Sequence, residues 1–99
     1  MKAVLIFRQR VDLGDGLMTE IVIWQVPRSL PGSDHTYKYR MALIDAGVCV
    51  LRYDNEAGKG DHRHIDDREE PYRFLTIEQL LDDFEASIKR YRDGHADHR

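Results

Sequence analysis

Four stretches in the first half of the chain have the composition of β-strands, being rich in apolar, β-branched or aromatic residues and ending at turn residues. They are residues 3–11 (AVLIFRQRV), 17–26 (LMTEIVIWQV), 36–44 (TYKYRMALI) and 48–53 (VCVLRY). The third alternates most clearly, because Lys38 and Arg40 separate Tyr37, Tyr39 and Met41. Alternation of this kind is typical of a strand with one buried and one solvent-exposed face.

Short glycine-containing turns separate these strands. Residues 13–16 (LGDG) and 45–47 (DAG) each suit a tight reversal between antiparallel neighbours. Residues 27–35 contain two prolines and indicate a longer loop between the second and third strands. The pattern therefore predicts a four-stranded antiparallel meander.

The last part of the chain has helical periodicity. Thr76, with Gln79 three residues later, has the spacing of a capping box and predicts a helix start. Apolar residues then recur at helical spacing: Ile77, Leu80, Leu81, Phe84, Ile88 and Tyr91. Gly94 is typical of a helix end, so we predict one domain over residues 1–93 and a frayed tail over residues 94–99. The expected fold class is α+β, with this one C-terminal helix on one face of the sheet and a long loop between the fourth strand and the helix.

The composition fits a folded single domain: 99 residues, of which 41% are hydrophobic and 33% are charged. No apolar run approaches the roughly 18 residues of a membrane-spanning helix. The run AVLIF is five residues long and is followed at once by RQR, so it is too short for the core of a signal peptide. We therefore expect a cytoplasmic protein with no membrane association. The single cysteine, Cys49, is expected to be a buried strand thiol.

Charge is unevenly distributed along the chain. Residues 1–53 carry seven Lys/Arg and five Asp/Glu, a net charge of +2, whereas residues 54–99 carry eight and thirteen, a net charge of −5. If the strands align as predicted, five basic residues share the sheet face opposite the helix: Arg8, Arg10, Lys38, Arg40 and Arg52. This face is a solvated surface, a surface for a nucleic-acid backbone, or part of a dimer interface. A small open sheet also has edge strands that can pair with a second copy, so we expect a homodimer.

The polar stretch at residues 55–73, NEAGKGDHRHIDDREEPYR, has the residue types of a metal site. Its candidate ligands are Asp61, His62, His64, Asp66 and Asp67. A structural zinc site usually contains cysteines or paired ligand clusters, which this chain lacks. A magnesium site would need only one or two carboxylates, and Asp54 and Glu56 add to those available. Spacing alone does not choose among these sets, and our prediction is a site without a metal or other cofactor.

The same stretch also has the residue types that bind and cleave a phosphodiester. Gly58 and Gly60 leave backbone N–H groups accessible around the cation of Lys59, an arrangement that suits an anion. His62 and His64 can act as general acid and base near neutral pH, and a cation stabilises the charge on the pentacovalent phosphate. RNA supplies its own nucleophile, the 2′-hydroxyl. A solvated surface loop without a function remains a third interpretation.

Residues 53–72, YDNEAGKGDHRHIDDREEPY, together with residues 20–27, 35–40 and 73–84, resemble the TumE-type toxin family of bacterial toxin–antitoxin systems. The resemblance extends from about residue 3 to residue 91. It implies a helix-turn-helix antitoxin as partner and RNA or translation as target. The positions matching the family pattern are Asp54, Asn55, Glu56, Lys59, Asp61, His62 and His64.

Three functional hypotheses follow. The first is a metal-independent ribonuclease, with His62 and His64 as acid and base, Lys59 and Arg63 as phosphate ligands, and Glu56 or Asp61 orienting a histidine. The second is a homodimer that binds DNA or RNA through the basic sheet face without cutting it. The third is a module that only engages an antitoxin. We favour nucleic-acid handling, with RNA ahead of DNA and catalysis slightly ahead of binding alone.

Overall fold

The computed structural model describes residues 2–96, which form one antiparallel sheet of six strands and one helix. The strands are β1 (Val4–Gly14), β2 (Leu17–Gln25), β3 (Tyr37–Asp45), β4 (Val48–Glu56), β5 (Gly60–Ile65) and β6 (Arg68–Pro71), and the helix is α1 (Ile77–Ala96). The strands lie side by side in chain order. The predicted α+β class and meander are confirmed, and each of the four predicted strands lies within three residues of its predicted ends.

The prediction of four strands was wrong, because the expected long loop contains β5 and β6. β5 lies inside the sheet and pairs with β4 on one side and β6 on the other. Five of its six residues are Gly, Asp, His, Arg and His, so it lacks the apolar alternation that marks a half-buried strand. His62 and Arg63 form ion pairs with Asp54 and Glu70 on the neighbouring strands rather than burying apolar surface. Hydrophobic periodicity therefore gave no signal for it.

Helix α1 begins as the capping box predicts, with the Gln79 N–H donating to the Thr76 hydroxyl at 3.0 Å. Its predicted end at Gly94 is wrong, since the helix continues to Ala96. A glycine inside a helix costs about 1 kcal/mol relative to alanine. His95, the residue after Gly94, stacks on Tyr91 of the preceding turn at a centroid distance of 4.0 Å. The predicted frayed tail is thus helical over its first three residues, and residues 97–99 lie outside the described residues. No helix within residues 2–96 is both long and apolar enough to cross a membrane.

The core lies between α1 and one face of the sheet, which we call the helix face. Its buried apolar residues are Leu17, Ile23, Tyr39, Met41, Leu43, Leu51, Tyr53, Leu80 and Phe84. The Tyr53 hydroxyl lies 2.6 Å from the Ser87 hydroxyl of α1, which ties the middle of the sheet to the helix. Strand alternation sends the remaining side chains of each strand to the opposite face, which we call the open face.

Strand register aligns the open-face residues in two rows that run across all six strands. From β1 to β6, the first row is Arg8, Val22, Arg40, Asp54, His62 and Pro71, and the second is Arg10, Glu20, Ala42, Arg52, His64 and Glu69. Lys38 lies beside Trp24 in the adjacent row. The predicted placement of the five basic residues on one face is therefore confirmed. What they bind stays a prediction.

Cys49 is a further correction. It pairs with Ile44 near the β3–β4 turn and is exposed rather than buried. The side chain of Cys49 lies on the open face, so the helix does not cover it. Its neighbour Val48 is also exposed. An apolar composition predicted burial, but the sheet has only one covered face.

Candidate functional site

Two histidines of β5 lie next to each other on the open face, because alternate residues of a strand share a face. Their ring centroids are 5.2 Å apart. The side chain of His62 is only 5% exposed: its Nε2 lies 2.8 Å from Asp54 Oδ1, and its Nδ1 lies 3.1 Å from the carbonyl oxygen of Gly60. The side chain of His64 is 29% exposed, and its Nε2 lies 2.8 Å from Arg52 Nη2. His64 is thus the accessible member of the pair.

Strand β4 supplies the partners of both histidines. Asp54 pairs with His62 and Arg52 pairs with His64 in the strand register, and Arg52 Nε lies 3.1 Å from Asp54 Oδ2. The sequence suggested Glu56 or Asp61 as the carboxylate that orients one of these two histidines, but Asp54 makes the contact with His62. Glu56 is exposed at the end of β4 opposite Gly60. The β4–β5 pairing could have identified Asp54, had β5 been recognised as a strand.

Three buried polar atoms at this contact have no hydrogen-bond partner within the described part of the chain: Arg52 Nε, Asp54 Oδ1 and His62 Nε2. The 2.8 Å separation of His62 from Asp54 brings these atoms together electrostatically, but its angle is not that of a hydrogen bond. Buried polar groups without partners are rare in folded proteins and are concentrated at functional sites. This contact is therefore the most unusual polar feature of the sheet.

Lys59 and Glu69 form the rim of the site. Glu69 Oε1 lies 3.4 Å from Lys59 Nζ, 3.6 Å from His62 Nε2 and 3.7 Å from His64 Nε2. Loss of hydration raises the pKa of Glu69, but the electrostatic interactions with Lys59, His64 and His62 outweigh this, and the net shift lowers its pKa. A cation, a carboxylate and two imidazoles therefore converge at one end of the open face.

The part of the open face on β1–β3 is mainly basic. Arg8, Arg10, Lys38 and Arg40 are exposed there. Glu20 lies among them, with its carboxylate oxygens 3.7 Å from Arg10 Nε and 3.9 Å from Arg40 Nη1. This basic surface and the histidine pair lie on the same face, because both belong to the same two cross-strand rows.

Asp61 and Arg63 alternate with the histidines along β5 and therefore lie on the helix face. Arg63 Nε donates to Glu70 and its Nη1 to the Tyr53 hydroxyl. Burial lowers the pKa of Arg63, but the hydrogen bonds to Tyr53 and Glu70 outweigh this and raise it above its usual value. The structure thus separates these two predicted site residues from the histidines.

Asp61 accepts three hydrogen bonds. The donors are the Ser33 hydroxyl at 2.6 Å, the Tyr39 hydroxyl at 2.7 Å and His35 Nε2 at 2.7 Å. His35 Nδ1 accepts from the Tyr37 N–H, so its proton is on Nε2. Burial and the Asp61 carboxylate together raise the pKa of Tyr39 far above its usual value. Sequence reasoning left His35 as a loop residue, because only the tertiary structure brings residues 27–35 against β5.

Asp61, Ser33, His35 and Tyr39 form a second polar cluster, and a groove of about 860 Å³ adjoins it. Its lining includes the polar side chains of Ser33, His35 and Asp61 and the aromatic residues Tyr72 and Phe74, of which Phe74 stacks on His35 at a centroid distance of 3.9 Å. Lys59 also lines the groove and contacts Glu69 at the histidine site. This lysine therefore lies at the boundary between the groove and the open face.

Comparison with known proteins identifies a family. The family model described as Toxin TumE matches residues 3–92, which is nearly the whole chain. No curated protein and no solved structure matches the chain.

Proposed function

Because the chain belongs to the toxin TumE family, we propose that it is a toxin that acts on RNA and cleaves it as a metal-independent ribonuclease. One observation carries the proposal: the histidine pair and four arginines belong to the same two cross-strand rows, on the face that α1 does not cover. A phosphodiester backbone lying along these rows reaches the histidines. RNA is favoured over DNA because cleavage without a metal uses its 2′-hydroxyl.

The basic rows support binding of a single strand. At about 4.8 Å between strands, the distance from β1 to β5 is about 19 Å, which accommodates several nucleotides. Arg8, Arg10 and Arg40 are available for the phosphates, and Trp24, next to Lys38, offers an aromatic surface for a base. Binding of this kind weakens as salt rises, because bound phosphates release their counterions.

The chemistry uses the two histidines in different roles. His64, the accessible one, takes the proton of the 2′-hydroxyl as the 2′-oxygen forms its bond to phosphorus. Protonated His62, held beside Asp54, gives its proton to the 5′-oxygen as the phosphorus–oxygen bond breaks. The products are a 2′,3′-cyclic phosphate and a 5′-hydroxyl end. Lys59 and Arg52 stabilise the extra negative charge on the phosphate in the transition state.

Arg52 also controls the availability of the base. In the free protein its Nη2 donates to His64 Nε2 at 2.8 Å and so occupies the lone pair that must accept the proton. A phosphate that attracts Arg52 frees this lone pair. Arg52 therefore takes the phosphate-binding role first assigned to Arg63, whose guanidinium is engaged with Glu70 on the helix face.

Binding without cleavage is the second candidate. The observation that favours it is the burial of His62, whose side chain is 5% exposed and contacts Asp54, as in a structural ion pair.

A homodimer is compatible with both candidates. Strand β1 is an edge strand of the sheet, and its residues Val4, Leu5, Ile6 and Phe7 are exposed apolar residues.

Membership of a toxin family also supports an antitoxin partner, which we propose to be a helix-turn-helix protein acting with this chain in the cytoplasm. The exposed acidic residues of α1, such as Glu78, Asp82 and Glu85, suit a basic surface on such a partner. Size-exclusion chromatography with and without the antitoxin tests this assembly. An antitoxin that leaves the elution volume unchanged would contradict it.

One gel tests the enzyme against the binding module. End-labelled RNA and DNA of the same sequence are incubated with the protein, with and without EDTA, and retardation and cleavage are read together. We expect RNA to be cut in EDTA and DNA to stay intact, and His64→Ala to abolish cutting. The matched control is His95→Ala, at the end of α1. Retardation without cutting would favour the binding module.

A further inference from the structure

We propose that the open-face site binds a divalent transition-metal ion of the zinc class, through His62 Nε2, His64 Nε2, Asp54 Oδ1 and Glu69 Oε1. The ligand atoms of the first three residues all lie within 4.8 Å of one another. Glu69 Oε1 is 3.6 Å from His62 Nε2 and 3.7 Å from His64 Nε2. Bonds of about 2.0–2.1 Å in a tetrahedral zinc site put neighbouring ligand atoms about 3.4 Å apart, close to the separations of Glu69 Oε1 from the two histidines.

The hydrogen bonds of the imidazoles leave the correct atoms free for a metal. The carbonyl oxygen of Gly60 can only accept, so the proton of neutral His62 is on Nδ1, 3.1 Å away, and its Nε2 carries a lone pair. A backbone carbonyl on the second ring nitrogen is the usual support of a metal-bound histidine. His64 Nε2 accepts from Arg52 and therefore also carries a lone pair. Both lone pairs face the same small space.

The buried atoms of this site lack the partner that a cation would supply. Asp54 Oδ1 and His62 Nε2 have no hydrogen bond from any described residue. Both side chains are nevertheless buried, with only 10% and 5% of their surface exposed. A carboxylate oxygen and an imidazole nitrogen 2.8 Å apart need a positive charge between them, which either a proton on Nε2 or a metal ion supplies. A bound metal ion satisfies both atoms at once.

Arg52 is the competing cation. Its guanidinium contacts Asp54 Oδ2 at 3.1 Å and His64 Nε2 at 2.8 Å, so it must withdraw before a metal binds. Imidazole and carboxylate ligands together suit zinc and other late first-row metals, whereas magnesium prefers oxygen ligands alone. The site should therefore discriminate strongly against magnesium.

Metal binding would regulate the enzyme, a consequence that rests on the proposed function. A metal that occupies both Nε2 atoms prevents them from exchanging protons with RNA, so zinc would inhibit cleavage rather than support it. Release of zinc, or its removal by EDTA, would restore activity. The metal site itself does not depend on the ribonuclease proposal.

Isothermal titration with Zn²⁺ alone tests the site without RNA, on protein first treated with a chelator and then freed of it. We expect one ion per chain, and binding weakened more than about tenfold by His64→Ala and by Glu69→Gln, since even outer-shell contacts are worth about 10- to 100-fold. Both residues are partly exposed, so these variants are expected to fold. Arg52→Gln should bind zinc more tightly than the wild type.

The control variant replaces both His95 and His98 by alanine, because histidines near the chain end can themselves bind zinc. Its affinity should equal that of the wild type. Binding that disappears only in this control variant, or that persists unchanged in His64→Ala, overturns the proposal. RNA cleavage is not part of this readout, so a protein that binds zinc but cuts no RNA refutes the ribonuclease and leaves the metal site standing.

Discussion

Glu20 offers a test of the basic face in which the variant gains function. Its carboxylate lies among the basic residues of β1–β3, 3.7 Å from Arg10 and 3.9 Å from Arg40. Glu20→Gln keeps the shape of the side chain and removes its charge. If RNA lies along the two rows, the variant should bind RNA more tightly than the wild type. Loss of folding cannot imitate a gain in affinity.

The expected magnitude follows from the charges. A carboxylate about 6 Å from a phosphate repels it by about 0.7 kcal/mol in water. Release of Arg10 and Arg40 from their ion pairs with Glu20 adds a similar amount. This gain is small because all three side chains are more than a third exposed, and exposed ion pairs are worth only about 0–1 kcal/mol. The total of about 0.7–1.4 kcal/mol corresponds to a 3- to 10-fold tighter complex at low salt.

Fluorescence anisotropy with a labelled single-stranded RNA measures this difference at several salt concentrations. The gain should shrink as salt rises, because screening weakens the interaction of exposed charges. Glu85→Gln, on an exposed position of α1, is the matched control: it changes the net charge equally but lies away from the open face. An equal gain in both variants, or no gain in Glu20→Gln, would refute the assignment of this face to RNA.

The remaining predictions concern the site and its frame. His64→Ala should abolish RNA cleavage without lowering the melting temperature. His62→Ala should lower the unfolding free energy by about 2–3 kcal/mol in urea denaturation, because it leaves Asp54 buried without its partner. A His62→Ala variant as stable as the wild type would refute the buried ion pair. Burial and nearby carboxylates raise the pKa of both Tyr39 and Tyr72 in the folded state. Above about pH 10 these tyrosines therefore ionise in the unfolded chain before they ionise in the folded protein. Their contribution to stability is complete below about pH 10 and is lost as pH rises further. Melting temperatures measured from pH 8 to 11 should show this decline, and a double Tyr39→Phe, Tyr72→Phe variant with the same slope would contradict it. Gly60→Ala should destabilise the protein by more than about 2 kcal/mol, because φ is +75° and the new Cβ would lie 2.6 Å from the carbonyl oxygen of Gly32. Gly58→Ala is the control, since φ is +86° but the space around it is open, and it should cost only about 1–2 kcal/mol in the same denaturation assay. Equal losses of stability in Gly60→Ala and Gly58→Ala would show that the close approach of Gly32 and Gly60 contributes nothing.

The sequence by itself determined the part of the fold that depends on local chemistry and apolar burial. The alternation in residues 36–44 predicted β3, and Thr76 with Gln79 predicted the start of α1. The short turns predicted antiparallel neighbours, and the alternation of side chains then predicted that the five basic residues share one face. These features rest on spacing within one segment or on the connection between two, so a linear pattern records them.

Only the tertiary structure decided the composition of the site. β5 is polar, and His62, Arg63 and His64 contact partners on β4 and β6 that lie about ten residues away in sequence. Without its recognition as a strand, Asp61, His62, Arg63 and His64 were expected to act together. Its pleat instead sends the histidines to Arg52 and Asp54 and the other two residues to the helix face.

The second polar cluster depended still more on long-range packing. His35 reaches Asp61 only because residues 27–35 cross the start of β5, where Gly32 and Gly60 approach closely. No periodicity connects residues 26 positions apart. Local spacing thus determined which residues form strands and helix, and cross-strand register determined which polar side chains meet, because a contact between distant segments exists only once the sheet has formed.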